Sequence, residues 1–228
     1  MFRGKKYKKI AEAYDRTQSY GLPEAIEILK KSEMKFDQTV EIHFNLGVDP
    51  KHSDQVVRGT VVLPNGTGRK VRVLVFCKDN NLEVAKNAGA DYAGGADLVQ
   101  KILDGWLDFD SVVATPDMMP VISKVAKVLG PRGLMPSPKA GTVTVNVAQT
   151  VKELKAGKIQ YRVDKGANVH APVGKLSFTV EQLVQNAKAV IDSVVKAKPQ
   201  SSKGTYVKSL SLTATMTPSV KLDMALTR

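Results

Sequence analysis

The alternation of apolar and polar residues between Thr39 and Val48 restricts the fold of this chain more than any other feature. The apolar members are Val40, Ile42, Phe44, Leu46 and Val48. A period of two residues is typical of a β-strand with one face on a core and the other in water. Antiparallel sheets commonly have one such solvated face. Further strands of this kind are predicted at 56–63, 159–163, 169–178 and 205–214, with helices beginning at Leu22 and covering about 180–197.

The middle of the chain follows a different pattern. Val71–Phe76 is continuously apolar, as in a strand buried on both faces. Helix-like segments follow at 81–88 and 95–103, then a strand at 112–115 and one helix over 116–129. Strands that alternate with helices favour a small parallel α/β unit.

These patterns predict an α/β protein of two domains. Residues 1–66 and 159–228 form a discontinuous α+β outer domain with a mostly antiparallel sheet, and 67–158 forms an inserted, Rossmann-like α/β domain with a parallel sheet. The two crossings, near 64–68 and 157–159, contain glycine, so we expect them to permit hinge motion.

Charge indicates the kind of partner. A net charge of +12 and a pI near 9.7 favour a polyanion. Aromatic residues make up only 6%, which argues against serial base stacking along a single strand. The lone Cys77 allows no internal disulfide, which is typical of a reducing compartment. No apolar run approaches the roughly 20 residues that cross a bilayer, so we expect a soluble, cytoplasmic protein.

Catalytic signatures are absent from the sequence. His43, His52 and His170 lack metal-binding spacing, and His43 is predicted to face the surface. No Gly-x-Ser-x-Gly nucleophile elbow occurs, and neither phosphate-binding glycine motif is present. We therefore expect no catalytic residue, metal or cofactor. The alternative is an enzyme that binds a phosphorylated small molecule in the inserted domain.

A long loop at 130–143 carries three prolines together with Arg132 and Lys139. It is either a rigid crossover or a contact for phosphates, for which Gly133 and Gly141 would leave backbone amides free. Residues 124–158 contain seven basic residues and one acidic residue, which makes a contact with transfer RNA or a second RNA segment possible.

Hydroxyl side chains mark the last predicted strand of the outer domain. Ser209, Ser211, Thr213 and Thr215 share its polar face, where they are either solvated or packed against a sugar-phosphate backbone. Met216 follows as an adaptable apolar contact. Phe36 is either a hydrophobic staple for the preceding helix or an exposed stacking ring.

Five motifs in order carry a resemblance over nearly the whole chain. They are Lys-Phe-Asp-Gln-Thr-Val-Glu at 35–41, Ser-Asp-Gln-Val-Val-Arg-Gly-Thr at 53–60, the glycine-proline loop at 130–143, His-Ala-Pro-Val-Gly-Lys at 170–175 and Thr-Met-Thr-Pro-Ser at 215–219. Together they resemble the bacterial L1 family of ribosomal proteins, located on the mobile side stalk of the large subunit.

The resemblance implies a structural constituent of the large subunit that binds stalk ribosomal RNA, assists release of deacylated transfer RNA from the exit site and represses translation of its own messenger RNA. It implies contacts with other ribosomal components, no membrane, and a monomer when free. The positions that match the family's ribosomal RNA contacts are Lys35, Phe36, Thr39, Glu41, Gly174, Lys175, Ser177, Thr215, Met216 and Ser219. A DNA-binding regulator is the other rival, disfavoured because no predicted helix carries clustered basic residues.

Two positions depart from the family pattern. Thr217 stands where the family usually has glycine, so we expect a cost in backbone freedom there and a hindrance to close approach of RNA. Asn65 replaces the usual histidine in the first crossing.

Overall fold

A computed structural model of the protein describes residues 4–32, 34–78 and 81–227. The chain forms two compact units. The outer unit comprises Met1–Gly68 and Ile159–Arg228, and the inserted unit comprises Arg69–Lys158. Helices combined with one antiparallel and one parallel sheet confirm the predicted α/β class.

The outer unit is built on a four-stranded sheet and two long helices. Its elements, numbered in chain order through the whole protein, are α1 Lys5–Glu12, α2 Leu22–Lys30, β1 Thr39–Leu46, β2 Arg58–Val62, β6 Lys158–Arg162, β7 Asn168–Lys175, α8 Val180–Lys196, β8 Val207–Ala214 and β9 Val220–Lys221. The sheet has the order β7-β1-β8-β9, and each neighbouring pair is antiparallel. Strands β2 and β6 form a separate two-stranded sheet.

Strand β1 confirms the predicted alternation. Val40, Ile42, Phe44 and Leu46 are buried, and the residues between them are half-buried on the opposite face. Helices α2 and α8 contact each other and pack on the apolar face, so the core of this unit lies between them and the sheet. The half-buried residues on the polar face of β1 point away from this core.

Helix α8 begins at a capping box. The Thr179 hydroxyl accepts from the Gln182 amide at 3.2 Å, and the Gln182 side chain accepts from the Thr179 amide at 3.0 Å. This arrangement satisfies two backbone donors that a helix start otherwise leaves unpaired. The apolar stripe of α8 then enters the core through Leu183, Ala187, Val190, Ile191 and Val194.

The inserted unit is organised around a three-stranded parallel sheet of order β4-β3-β5. Its elements are β3 Val73–Phe76, α3 Leu82–Asn87, β4 Tyr92–Gly94, α4 Ala96–Leu103, β5 Ser111–Ala114, α5 Met119–Ile122, α6 Ala126–Leu129 and α7 Val147–Ala156. Alternate residues of β3 enter two separate apolar clusters, Leu74 and Phe76 in one and Val73 and Val75 in the other. Burial on both faces explains why this strand is continuously apolar.

The segment 116–129 differs from the single helix predicted for it. It consists of a 3-10 turn at Pro116–Met118, α5, a second 3-10 turn at Ser123–Val125, and α6. Pro120 lacks an amide hydrogen and cannot extend a helix that began before it, which is a physical reason for the break. Four elements were not predicted, namely α1, β4, α7 and β9.

Within the described residues, we find no helix with the length and apolar character needed to span a bilayer.

The first crossing between the units is tied to α8 by a buried amide. Asn186 is fully buried and donates to the carbonyls of Gly66 at 2.9 Å and Val173 at 2.8 Å. Its oxygen accepts from the Asn65 amide at 3.0 Å, and the Asn65 side chain donates to Gln185 at 2.9 Å. Asn65, the departure from the family pattern, therefore helps to hold this segment on the helix.

We expect Asn186→Ala to lower the free energy of unfolding by about 2–4 kcal/mol, because it leaves the buried Val173 carbonyl, the half-buried Gly66 carbonyl and the Asn65 amide without this partner. Urea denaturation measures this loss. Lys188→Ala, at an exposed position of the same helix, is the matched control and should change stability by less than about 0.5 kcal/mol. Equal effects of the two substitutions would contradict the proposed role of Asn186.

Candidate nucleic-acid interface

Three segments that are far apart in sequence meet at one end of the antiparallel sheet. Strand β1 begins there, and its two antiparallel neighbours, β7 and β8, end there. Thr39 is paired with Lys175, and Val40 is paired with Ala214. We call this the sheet-end site and define it as residues 35–41, 174–177 and 213–219.

A buried glutamine joins the segments. Gln38 is only 1% exposed, and its amide nitrogen donates to the Thr215 carbonyl at 2.6 Å. Its oxygen accepts from the Ser32 hydroxyl at 2.6 Å. The Thr215 amide donates to the Thr39 carbonyl at 3.0 Å, and the Thr39 amide donates to the Thr215 hydroxyl at 3.3 Å. Sequence analysis missed Gln38, because a glutamine at a strand entrance is ordinarily solvated.

The other wall of the site is fixed by two further side-chain contacts. The Lys175 ammonium donates to the Thr39 hydroxyl at 2.9 Å. The Ser177 hydroxyl and amide donate to the two carboxylate oxygens of Asp37 at 2.9 and 3.1 Å. Asp37 was likewise not among the contact residues predicted from the sequence. These contacts hold a positive charge and several hydroxyl groups in fixed positions at the rim.

Two large apolar side chains project from the site into solvent. Phe36 is 47% exposed and Met216 is 69% exposed. Of the two interpretations of Phe36, the structure supports the exposed ring and not the staple. Met216 has a positive φ of 65°, which among the described non-glycine residues occurs elsewhere only at Ala167. A left-handed conformation costs a non-glycine residue about 1–2 kcal/mol.

The structure gives internal reasons for the residues at two backbone positions of the site. Gly174 is buried, and a Cβ there would lie 3.0 Å from Phe178 and 3.1 Å from Leu183, so internal packing explains the glycine and it presents little surface. Thr217 avoids the left-handed conformation. Its hydroxyl accepts from the Ala214 amide at 2.9 Å and donates to the Ala214 carbonyl at 2.8 Å, which closes the turn. The strain expected at Thr217 lies one residue earlier, at Met216.

Ser219 and Glu41 complete the predicted contacts of the outer unit. The Ser219 residue is exposed, and its carbonyl accepts from the Tyr14 hydroxyl at 2.9 Å. The Glu41 side chain is 45% exposed on the polar face of β1. Among the charged residues of the site, Lys35 and Lys175 are offset by Asp37 and Glu41, so the site carries little net charge.

A histidine pair lies on the polar sheet face next to Glu41. The Nδ1 atoms of His43 and His170 are 2.7 Å apart, and His43 Nε2 lies 2.8 Å from the Thr213 hydroxyl. His43 thus lies on the polar face, as predicted, but it is half-buried and hydrogen-bonded there. Burial lowers the pKa of His43, the neighbouring His170 lowers it further, and Glu41 opposes both effects. Only one of the two Nδ1 atoms can carry the hydrogen of this contact.

The 130–143 loop of the inserted unit has less free backbone than predicted. The amides of Gly133 and Gly141 donate to the carbonyls of Gly130 and Pro138, each at 3.0 Å. Thr142 closes the segment by accepting from the Ser137 amide at 2.8 Å. The two glycine amides are therefore engaged within the loop, and Arg132 is exposed. The side chain of Lys139 lies outside the described part of the structure.

Two aspartates that follow α4 in the inserted unit form ion pairs with arginines that precede β3. Asp110 accepts from Arg69 at 2.5 Å and from the Arg72 side chain at 3.1 Å, and Asp108 also pairs with Arg72. In the described ranges, no group of three or more His, Cys, Asp or Glu side chains is arranged to hold a metal ion. These carboxylates stabilise the segment after α4.

The model of the Ribosomal protein L1p/L10e family matches residues 28–218. This segment is most of the chain and contains the sheet-end site as far as Pro218.

The lowered pKa of His43 predicts a pH-dependent stability. Because the unfolded chain binds a proton near the ordinary pKa of 6.5 and the folded chain does so only at lower pH, the contribution is complete above about 6.5 and is lost as the pH falls below it. We expect the free energy of unfolding to decrease between about pH 7 and pH 5. His43→Gln should reduce this decrease.

Urea titrations at both pH values test this expectation. His52→Gln is the matched control, because the His52 side chain is 67% exposed and lies outside the pair. It should retain the full decrease. A His43→Gln variant with the same pH dependence as the unsubstituted protein would contradict the assignment.

Proposed function

The chain belongs to the ribosomal protein L1 family, and from this premise we propose that its sheet-end site binds the ribosomal RNA of the large-subunit side stalk. Members of the family are structural RNA-binding proteins of the ribosome and not enzymes. The protein is therefore a ribosomal, RNA-binding component, and the alternative of a phosphate-binding enzyme is wrong. In this proposal the outer unit is the RNA-binding domain.

The observation that carries the proposal is the conformation of Met216. A positive φ at a non-glycine residue costs free energy, and a side chain that is 69% exposed returns little of it through packing. Strain of this kind collects at binding sites, where a contact with the ligand offsets it. The turn that holds Met216 in place is fixed by Gln38 and Thr217, both within the site.

The side chains of the site match the chemistry of a folded RNA. Lys35 and Lys175 suit phosphates, and the hydroxyls of Thr39, Ser177 and Thr215 suit sugar and phosphate oxygens. Phe36 offers a ring for an unstacked base, and Glu41 offers an acceptor for a 2′-hydroxyl or an amino group. Fixed hydroxyls with little net charge favour an RNA of defined shape over an arbitrary polyanion.

We further propose that the inserted unit assists release of deacylated transfer RNA from the exit site. Its 124–158 segment carries seven basic residues against one acidic residue. Such a segment attracts RNA over long range without specific hydrogen bonds. The exposed Arg132, together with Lys139, is the proposed point of contact.

A site that recognises RNA shape also binds other RNAs of the same shape. We therefore propose that the protein represses translation of its own messenger RNA by binding a segment that imitates the stalk. In this proposal the free protein is a cytoplasmic monomer, and the ribosome competes with the message for the sheet-end site.

Met216→Gly separates stability from binding. Glycine relieves the left-handed strain, so we expect the free energy of unfolding to rise by about 0.5–1 kcal/mol. Loss of the apolar contact should at the same time weaken binding to a transcript of the stalk RNA by about tenfold, or about 1.4 kcal/mol. Urea denaturation and filter binding measure the two effects.

Ala167→Gly is the matched control, because Ala167 has the same strained φ of 62°. Its carbonyl accepts from the Leu46 amide, and Leu46 lies at the opposite end of β1 from the site. The control should gain similar stability and keep its RNA affinity. Unchanged RNA affinity in Met216→Gly would contradict the assignment of the site.

The two units should contribute separately to function. Arg132→Gln combined with Lys139→Gln should slow release of deacylated transfer RNA from reconstituted ribosomes while leaving affinity for stalk RNA within about twofold, because neither residue lies in the sheet-end site. Lys35→Gln with Lys175→Gln should instead weaken stalk RNA binding. If the loop variant weakened stalk RNA binding as much as this pair did, the division would be refuted.

A further inference from the structure

The N-terminal helix α1 is the most strongly basic element of the outer unit. Its sequence, Lys-Lys-Tyr-Lys-Lys-Ile-Ala-Glu, places four lysines within five positions and ends in one acid. The helix was not predicted from the sequence, and it lies before the segment that matches the family. Neither the family match nor the sheet-end site assigns it a role.

The lysines of α1 are directed away from the body of the protein. Ile10 is buried, and Tyr7 and Ala11 are half-buried. At about 100° per residue, these three share one side of the helix, and Lys5, Lys8 and Lys9 lie on the other. All four lysines, including Lys6, are exposed. Among the ion pairs formed by the described residues, none includes Lys5 or Lys8.

The chain that follows α1 is attached to the sheet-end site itself. Two residues after the helix, Tyr14 packs on the core and donates its hydroxyl to the Ser219 carbonyl at 2.9 Å. The rings of Tyr14 and Tyr20 meet edge to face with centroids 6.1 Å apart. The Tyr20 amide donates to the backbone carbonyl of Lys221 at 3.0 Å, close in sequence to the turn at 214–217. These contacts fix the end of α1 next to the proposed RNA contacts at 215–219.

We propose that α1 is a second, sequence-independent RNA contact that extends the interface beyond the sheet end. Its exposed lysines neutralise phosphates of the RNA held by the sheet-end site. Such contacts add affinity and salt dependence but carry no sequence information. The inference rests on the proposed function, because the RNA that α1 contacts is the RNA bound at the sheet-end site.

The structure favours RNA over a membrane as the partner of this helix. An interfacial membrane helix places its apolar face in the lipid, whereas the apolar side of α1 is turned towards the protein through Ile10. The site adjoining α1 has the opposite character, with almost balanced charge and fixed hydroxyls. The two surfaces therefore complement each other, one by shape and the other by charge.

The test is Lys5→Gln combined with Lys8→Gln in the full chain, with a transcript of the large-subunit stalk RNA as the probe. Each lost phosphate contact lowers the slope of log affinity against log salt by about 0.7–0.9, so we expect a slope smaller by about 1.4–1.8. Between about 0.1 M and about 0.5 M salt, the affinity gap to the unsubstituted protein should shrink by about ten- to twentyfold.

Lys198→Gln with Lys203→Gln is the matched control. Both lysines are exposed in the segment after α8, which contacts the opposite end of β1 through Ser202 and Gly47. This variant has the same charge as the test variant and should keep the original slope. The preference for stalk RNA over an unrelated hairpin of equal length should stay within about twofold in both variants.

The outcomes distinguish this inference from the proposed function. If the unsubstituted protein binds stalk RNA and the α1 variant keeps its slope, or if the control loses as much slope, the role of α1 is refuted and the sheet-end site stands. If the unsubstituted protein shows no preference for stalk RNA over the hairpin, both are refuted. Far-UV circular dichroism of both variants confirms that the fold is intact.

Discussion

The pairing of β1 with two antiparallel neighbours is the constraint on which the sheet-end site depends. Antiparallel neighbours run opposite to β1, so the residues after β7 and after β8 are both brought to the residues before β1. Gln38, buried at this junction, converts proximity into a fixed geometry by bonding to Ser32 and Thr215. Segments separated by more than a hundred residues thereby form one surface.

One turn of this surface both stabilises the fold and imposes a conformational cost. The turn at 214–217 is closed by Thr217, which gives the fold two hydrogen bonds, yet the same turn holds Met216 in a left-handed conformation. A fold selected only for stability would place glycine at Met216. In the proposed function, contact of the exposed Met216 side chain with RNA offsets this cost.

In the proposed function, the two units contact RNA by different kinds of interaction. The outer unit has hydrogen-bonded hydroxyls and nearly balanced charge at the sheet end, with the lysines of α1 beside them, while the inserted unit has a basic segment that includes the 130–143 loop. In this proposal, shape gives specificity and charge gives attraction. Asn186 ties the first crossing to α8 as far as Gly66, so this crossing segment has a defined position within the outer unit.

Periodicity and motif order determined much of this protein from sequence alone. The two-residue alternation of β1 and the continuous apolar run of β3 predicted one half-solvated sheet and one doubly covered sheet, because burial imposes its pattern directly on the residues. The five motifs identified the family. Short elements such as β4 and α1 were not predicted, because a few residues carry too little pattern to distinguish a strand or helix from a loop.

Only the tertiary structure decided how the site works. The hydrogen bonds of Gln38, the histidine pair and the attachment of α1 through Tyr14 join residues that are distant in sequence, so the sequence alone does not show that they meet. The positive φ of Met216 depends on a turn that these contacts hold in place. Local sequence fixes which face of a strand is buried. The register between distant strands fixes which side chains meet, and register depends on the packing of the whole core.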